Sequence, residues 1–206
     1  MLVKWIVATV PAPQRRAFHD AQALWRPLAH CEGFEGQVGG WDTDGRGCIV
    51  GLWRDAESYA MFMAHSHDAI LAADVGPPPF QSLDITTSRA IVRFSGTLPS
   101  PVEAVSEARW MRMSDCRIDP SAAVPFVARA LRERTVGLRG LEGYLAGSLS
   151  VTDADRFFEL TTWSTPDVAA GPLPQVRSAR APDAPVLALR AHRVALESEW
   201  TILPAR

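Results

Sequence analysis

The sequence predicts an α+β fold in which two ferredoxin-like modules, each with the order βαββαβ, follow one another in the chain. Two observations support this prediction. The second half of the chain repeats landmarks of the first, and each half alternates strand-like apolar segments with segments of helical spacing. The length of 206 residues suits one large domain or two small ones, and the repeat favours two modules.

The internal repeat rests on three landmarks that recur in the same order. Lys4-Trp5 returns as Arg109-Trp110, the segment Gly33–Gly40 returns as Gly140–Gly147, and Leu52-Trp53 returns as Thr162-Trp163. The offsets are 105, 107 and 110 residues, close to half of the chain, and a few loop insertions explain the drift. A tandem duplication accounts for three collinear matches better than chance does.

The first half opens with a strand and a helix. Leu2–Val10 is almost entirely apolar and rich in β-branched residues, as in a strand that is covered on both faces. Pro11 and Pro13 end this strand and lead into a helix over 15–28, because proline is tolerated in a first turn. His19 lies off the inward face of this helix, and we expect it in solvent. That face holds Phe18, Ala21, Trp25 and Leu28.

Two strands follow the first helix. Gly33–Gly40 marks a turn and the start of the second strand, which continues through Trp41. The segment Thr43–Gly47 has the composition of a hairpin loop, so the third strand is expected over 48–53.

A second helix and a fourth strand complete the first half. Asp55 is suited to cap the N-terminus of this helix, and Glu57 is favourably placed in its first turn. Gly76–Pro79 ends the helix, and Leu83–Phe94 is the expected fourth strand. The inward face of the helix is expected to hold Tyr59, Phe62, Met63, Ser66 and Ile70.

The second half repeats this order with one exception. Its second helix is expected to be short, because the proline-rich stretch 171–185 supports only a long loop. The other expected elements are a strand over 109–117, a helix from Asp119 to Thr135, strands near 145–151 and 157–163, and a last strand over 186–200. The expected boundaries are 1–94 for the first module, 95–106 for the linker and 107–206 for the second, degenerate module.

The composition limits the class of protein. With 21 Lys and Arg residues against 23 Asp and Glu, the formal net charge of -2 gives no electrostatic reason to expect nucleic acid or an anionic membrane as a partner. Cys31, Cys48 and Cys116 have no paired spacing, so we expect reduced thiols in a cytoplasmic protein. The N-terminal segment lacks the basic region and cleavage site of a signal peptide.

Several short segments of the first half resemble a known group of proteins. These segments are Lys4-Trp5-Ile6, Phe34–Trp41, Leu52-Trp53 with Asp55 and Ser58-Tyr59, and Met63 with His67–Ile70. They resemble a bacterial family, a domain of unknown function, within the dimeric α/β-barrel superfamily. That superfamily also contains antibiotic-biosynthesis monooxygenases and haem-degrading monooxygenases. The resemblance is good over residues 2 to about 92, and over 108–200 it is limited to the general pattern of the module.

The resemblance implies an architecture and a place for a ligand. In a βαββαβ module both helices cover one face of the sheet, so the other face needs a cover. The resemblance implies that the sheets of the two modules close into one barrel within the chain, as the sheets of two subunits do in single-module relatives. In such relatives a small-molecule pocket lies between the sheet and the helices. The haem-degrading relatives use an Asn on the first strand, which Leu2–Val10 lacks, so haem is disfavoured and the cofactor stays unknown.

The candidate catalytic residue is His67. His65 and His67 resemble a metal-binding pair, but side chains two positions apart on a helix point in different directions, so no metal site is expected. His67 borders the apolar face of the second helix, where its imidazole could take or give a proton in a pocket. In the structural alternative, His67 and Asp68 tie down the end of that helix.

The tryptophans of the first half supply the candidate ligand pocket. Trp5, Trp25, Trp41 and Trp53 fall on elements that should face one another around one core. We interpret them as core residues, with a pocket role for Trp25 and Trp53 as the alternative, because large aromatic side chains are common in ligand pockets. Phe62 and Gln37 complete the candidate pocket. The Gln37 amide could orient a polar group of the ligand, and an exposed strand position explains this residue equally well.

Lys4 is the only lysine of the chain. It shares one face of its strand with Ile6 and Ala8, so its ammonium must reach water or an acidic partner. A lone lysine at such a site is a candidate for Schiff-base chemistry. Arg109 at the repeated position favours a structural ion pair instead.

Three hypotheses about function remain, since no GxGxxG, P-loop, GxSxG or HExxH pattern occurs. The first is a monooxygenase-like enzyme that acts on a small aromatic or hydrophobic molecule. The second is a non-catalytic protein that binds such a molecule, and the third is a structural or interaction module without a pocket. The expected partner is thus a small hydrophobic or aromatic ligand, with neither nucleic acid nor membrane. The chain is expected as a monomer with an internal pseudo-dimer or as a homodimer.

Overall fold

The computed structural model describes residues 1–72, 76–166 and 186–205, so the proline-rich stretch 171–185 lies outside the described residues. The strands of the described part are β1 (Leu2–Thr9), β2 (Phe34–Asp42), β3 (Gly47–Trp53), β4 (Ser82–Ser95), β5 (Trp110–Ile118), β6 (Tyr144–Asp153), β7 (Arg156–Trp163) and β8 (Val186–Leu196). The α-helices are α1 (Arg15–Ala21), α2 (Ala56–His65), α3 (His67–Leu71), α4 (Pro101–Ala104) and α5 (Ala123–Gly137).

The strand order confirms the predicted fold class. Hydrogen bonds connect the strands as a closed barrel in the order β1-β3-β2-β8-β5-β7-β6-β4. Within this order, β4-β1-β3-β2 and β8-β5-β7-β6 each have the strand arrangement of a ferredoxin-like βαββαβ module. The fold is therefore α+β with tandem ferredoxin-like modules, as in an intrachain α/β barrel of the dimeric type. No helix in the described part is long and apolar enough to cross a membrane.

The chain forms two compact units. The first contains residues 1–89 and 195–206, and the second contains residues 90–194. The core of the first unit includes Phe34, Trp53 and Phe62, whereas that of the second includes Tyr144 and Trp163.

The first helical segment differs from the predicted helix over 15–28. α1 ends at Ala21, and the chain continues as a 3-10 helix over Gln22–His30 that contains Pro27. A regular α-helix cannot pass through this point, because proline donates no hydrogen bond and its ring clashes with the carbonyl group four residues earlier. Phe18 and Leu28 are nevertheless buried, as the spacing predicted.

His19 does not lie free in solvent as the sequence predicted. Its Nδ1 accepts a hydrogen bond from the indole Nε1 of Trp200 at 3.1 Å. Trp200 belongs to the C-terminal segment of the first unit, and helical spacing within one segment gives no sign of a partner so distant in sequence.

The second helical segment has the predicted cap and one unpredicted break. Asp55 caps α2 by accepting a hydrogen bond from the backbone N–H of Ser58 at 2.8 Å. Phe62 is buried on the inward face, but Met63 is exposed and the prediction for it was wrong. Successive helical residues are rotated by about 100°, and the inward face is centred on Phe62. The helix breaks at Ser66, which separates α2 from α3.

The strand registers correct the residue equivalences of the repeat. Leu2 lies opposite Trp53 in the first unit, and Trp110 lies opposite Trp163 in the second, so Lys4 corresponds to Arg112 rather than to Arg109. The glycine-rich segments are also shifted by three residues from the predicted alignment. The glycine that corresponds to Gly33 is Gly143, since both have a left-handed backbone, with φ values of 73° and 75°. The predicted alignment paired Gly33 with Gly140, the glycine three residues before Gly143.

Candidate ligand site

The first unit encloses a cavity of about 290 Å³ between its sheet and its helical segments. All of its lining residues belong to residues 1–89, and most of them are apolar or aromatic. The sheet contributes Lys4, Ile6, Phe34, Gln37, Ile49, Gly51, Trp53, Leu83 and Ile85. The helical segments and the loop before β4 contribute Phe18, Ala21, Gln22, Leu24, Trp25, Leu28, Phe62, His67, Ile70, Leu71, Pro79 and Phe80.

All five residues of the candidate site contribute to this lining. They are His67, Trp25, Trp53, Phe62 and Gln37. Trp53 is 2% exposed and belongs to the core, where its ring lies 4.9 Å from that of Phe62 and 5.3 Å from that of Phe34. Trp53 is therefore both a core residue and a wall of the cavity. Trp5 and Trp41, the other tryptophans considered, do not line it.

His67 lies at the start of α3, where the break at Ser66 turns its side chain toward the cavity. The ring centroid of His67 is 5.7 Å from that of Phe62 and 5.8 Å from that of Trp25. Its Nδ1 is 2.9 Å from a carboxylate oxygen of the exposed Asp68. If Nδ1 donates to this carboxylate, Nε2 carries the lone pair and can accept a proton. The same contact also ties down the start of α3, so the structural alternative and the catalytic one are compatible.

His65 and His67 do not share a site. His65 is exposed and lines a separate surface groove with Arg54 and Met61, whereas His67 lines the cavity.

Two glutamines bring amide groups to the cavity. Gln37 is buried, and its Nε2 donates a hydrogen bond to the backbone carbonyl of Trp200 at 3.5 Å. Gln22, which the sequence analysis missed, is 4% exposed, and its Nε2 donates to the carbonyl of Phe18 at 3.0 Å. The Oε1 of Gln22 has no hydrogen-bond partner among the described residues. Its position four residues after Phe18 is the signal that could have identified it.

Lys4 brings a cation to this apolar cavity. Burial lowers the pKa of the Lys4 ammonium below its ordinary value of 10.5, because the charged form loses hydration. Its Nζ lies 5.5 Å from the centre of the Tyr59 ring, which offers the negative face of its π system. Burial also raises the pKa of the Tyr59 phenol, so this ring stays neutral near pH 7. Among the described residues no carboxylate pairs with Lys4.

Gly51 makes room for the cavity on β3. A Cβ built at Gly51 would have a single neighbour within 4 Å, the Nε1 of Trp53 at 3.7 Å. The missing side chain therefore leaves the edge of the Trp53 indole open toward the cavity. No acceptor for this N–H occurs in the described part of the chain.

Haem does not fit this site as it stands. A volume of about 290 Å³ is at the lower end of the range for pockets of drug-sized ligands, and a porphyrin needs more space. His67 is the only histidine among the described lining residues, and its contact with Asp68 would leave Nε2 as an iron ligand, so the volume and not the ligand set argues against haem.

Comparison with known proteins places the chain in a family. Residues 2–87 match the model of a family described as a domain of unknown function, DUF4937. The chain is also 33% identical over 90 residues to the uncharacterized protein YdbC of Bacillus subtilis, of which it covers 76%. The chain belongs to the DUF4937 family. The match to YdbC spans 42% of the chain.

Solved structures resemble this DUF4937 protein over nearly its whole length. A presumed monooxygenase of Lactobacillus acidophilus has a TM-score of 0.65 at 11% identity, with 99% of each chain covered. An anthrone oxidase-like protein has a TM-score of 0.68 at 11% identity, with 100% of this chain and 94% of the other covered. A presumed monooxygenase of Fusobacterium nucleatum has a TM-score of 0.70 at 10% identity, with 95% and 91% covered. At such low identity the likeness shows the fold alone.

Proposed function

We propose that this DUF4937 protein binds a small aromatic or hydrophobic molecule in the cavity of its first unit and acts on it as a monooxygenase-like enzyme. The observation that carries the proposal is the cavity itself. It has a volume of about 290 Å³, and its walls are mainly apolar and aromatic with a few polar groups. That is the usual composition of a small-molecule site. A cavity of this kind counts against a purely structural module, whose core would be filled.

His67 is the proposed proton-transfer group. It supplies the one imidazole among the described lining residues, and its Nδ1 contact with Asp68 leaves Nε2 to accept a proton. A hydrophobic ketone such as anthrone loses a proton from carbon to give a resonance-stabilised anion, which oxygen can oxidise. In that reaction one anthrone and one O2 give one anthraquinone and one water.

The support for oxidation comes from the fold. Neighbours with the same architecture include proteins named as presumed monooxygenases and as an anthrone oxidase-like protein. Because a fold hosts many chemistries, the cavity supports binding more strongly than it supports oxidation. The test therefore measures binding and turnover separately.

The experiment first measures binding of anthrone under nitrogen, from the quenching of tryptophan fluorescence and the rise in Tm. It then admits oxygen and follows O2 consumption together with the absorbance of anthraquinone. We expect saturable binding, and turnover that falls at least about tenfold in His67→Ala. The matched control is His65→Ala, which removes an exposed histidine two residues away and outside the cavity. Turnover equal in both variants would rule out the role of His67, and binding without turnover would leave a non-catalytic binding protein.

The cytoplasm is the proposed location, since Cys31, Cys48 and Cys116 are all free thiols. Burial raises the pKa of Cys116 to about 12, so this thiol is unreactive at neutral pH. The proposed assembly is a monomer with an internal pseudo-dimer or a homodimer, and sedimentation equilibrium distinguishes these two states.

A further inference from the structure

Lys4 and Trp53 are two hydrogen-bond donors that face the same cavity without a protein acceptor. Neither the Lys4 ammonium nor the Trp53 indole N–H has an acceptor in the described part of the chain. Among the described residues the lining contains no Asp or Glu, and Lys4 is its one Lys or Arg residue.

The strand register brings these donors close together. Lys4 lies directly opposite Gly51 in the antiparallel pair of β1 and β3. Opposite residues in such a pair have Cβ positions about 5 Å apart. The Cβ position at Gly51 is 3.7 Å from the Nε1 of Trp53. The indole N–H therefore opens beside the root of the Lys4 side chain, and the flexible stem of the lysine carries its ammonium on the same side of the sheet.

The second unit shows that the open indole is particular to the first. Thr161 occupies the position of Gly51, and its hydroxyl accepts a hydrogen bond from the Nε1 of Trp163 at 3.0 Å. The equivalent tryptophan is thus satisfied within the protein. In the first unit the acceptor is missing, and the space that it would fill belongs to the cavity.

We propose that the ligand of the cavity is a hydrophobic molecule that carries one anionic oxygen, a carboxylate, phenolate or enolate, held by Lys4 Nζ and Trp53 Nε1. This inference rests on the proposed function, because it names the class of molecule that the cavity takes. A partly buried cation without an acidic partner loses hydration, and an anionic ligand offsets that loss with a charge-assisted hydrogen bond. The apolar walls hold the remainder of the molecule.

The test compares two probes of nearly equal shape, naphthalene-2-carboxylate and naphthalene-2-carboxamide, by isothermal titration calorimetry at pH 7. We expect the carboxylate to bind roughly tenfold more tightly than the amide, the effect of one charge-assisted contact. In Lys4→Met this preference is lost, while the affinity for the amide changes less than about twofold. Trp53→Phe, which keeps an aromatic ring but removes the N–H, weakens carboxylate binding by a smaller factor.

The matched control is Arg15→Met. Arg15 is an exposed cation of the same unit, 5.7 Å from the centre of the Trp41 ring, and it does not line the cavity. Its removal should leave the preference for the carboxylate unchanged. A preference lost equally in Arg15→Met would show that general surface charge, and not Lys4, attracts the anion. That result would overturn the proposal.

The single lysine permits a test that needs no variant. In protein labelled with 15N-lysine, one Nζ signal reports Lys4 alone. We expect the pKa of the Lys4 ammonium to be below 10.5 in the free protein and to rise after the carboxylate binds, because the anion stabilises the charged form. Affinity for the carboxylate should therefore fall as pH rises through that value. The other titratable groups near the cavity are His67 and Tyr59, and amide binding measured at each pH corrects for them.

The outcomes separate this inference from the proposed function. If neither probe binds, the cavity is not a site for small aromatic molecules and both proposals fail. If the two probes bind equally well, or if Lys4→Met keeps the preference for the carboxylate, the anionic ligand is excluded while the binding function stands.

Discussion

The two units have the same strand register but place residues of different character at equivalent positions. On the helical side of the first unit, Ile49 and Gly51 of β3 border an apolar cavity. At the corresponding positions of the second unit stand Glu159 and Thr161 of β7, whose polar groups find partners within the protein. The same strand register therefore carries apolar residues beside a cavity in the first unit and paired polar residues in the second.

A buried ion pair occupies this position in the second unit. Arg134 of α5 and Glu159 are 3% and 6% exposed, and their Nε and Oε1 atoms are 2.9 Å apart. Arg134 stands four residues before Leu138, and Leu24 of the first unit stands four residues before Leu28. The carbonyl groups of both leucines accept a backbone hydrogen bond from the residue three positions later, in the turn that leads into β2 or β6, so Leu24 is the counterpart of Arg134. The first unit has Leu and Ile where the second has Arg and Glu.

The largest effect is expected from breaking that ion pair. Glu159→Ile removes the buried acidic partner of Arg134 and leaves only the more exposed Glu133, whose carboxylate is 3.8 Å from Arg134 Nη1. Arg112 then adds a second cation, whose pKa burial already lowers to about 10. We expect the free energy of unfolding in urea to fall by about 3–5 kcal/mol. The double variant Arg134→Leu with Glu159→Ile, which installs the residues of the first unit, should recover much of this loss.

The control for this prediction is an exposed pair with the same contact. Arg16 and Asp20 also have an Nε to carboxylate distance of 2.9 Å, but their side chains are 84% and 53% exposed. Arg16→Leu should cost less than about 1 kcal/mol, because water screens the pair. If Glu159→Ile costs no more than Arg16→Leu, the buried pair does not stabilise the second unit.

The second largest effect is expected when the threonine of the second unit replaces the equivalent glycine of the first. Gly51→Thr adds a hydroxyl beside the Trp53 indole and removes a flexible glycine from a strand, so we expect unfolding free energy to rise by roughly 0.5–1 kcal/mol. The threonine hydroxyl also accepts a hydrogen bond from the indole N–H of Trp53, which is then unavailable to a ligand, and the side chain fills part of the cavity. Affinity for naphthalene-2-carboxylate should therefore fall about tenfold.

Gly51→Ala separates these two causes. Alanine removes the glycine flexibility but supplies no acceptor, so it should share part of the gain in stability and lose less affinity than threonine does. If threonine and alanine give the same affinity, the indole N–H takes no part in binding.

The sequence was sufficient to predict the succession of strands and helices along the first half of the chain, the Asp55 cap and five of the residues that line the cavity. These features follow from local patterns: period-two and helical spacing, turn residues and a capping side chain. The contacts of His19 and Gln37 with Trp200 could not be predicted, because they join segments far apart in the chain. The correspondence of Lys4 with Arg112 was also missed. Similar residues recur three positions apart, and only the strand register distinguishes the alternatives.

The smallest effect is expected at the start of α2. Asp55 accepts hydrogen bonds from the backbone and side chain of Ser58, and these hold the pKa of its carboxyl at about 2, below the ordinary 3.8. Because the pKa is lowered in the folded protein, the stabilisation is present above about pH 3.8 and is lost as the pH falls through about 2. Asp55→Ala should lower Tm slightly at pH 7, and the difference should shrink in acid.

The second unit has Thr165 two residues after Trp163, where Asp55 follows Trp53. Asp55→Thr should therefore retain part of the cap at both pH values, since a hydroxyl accepts the same bond without titrating. A difference between Asp55→Ala and the unmodified protein that stays constant from pH 7 to pH 2 would contradict this account.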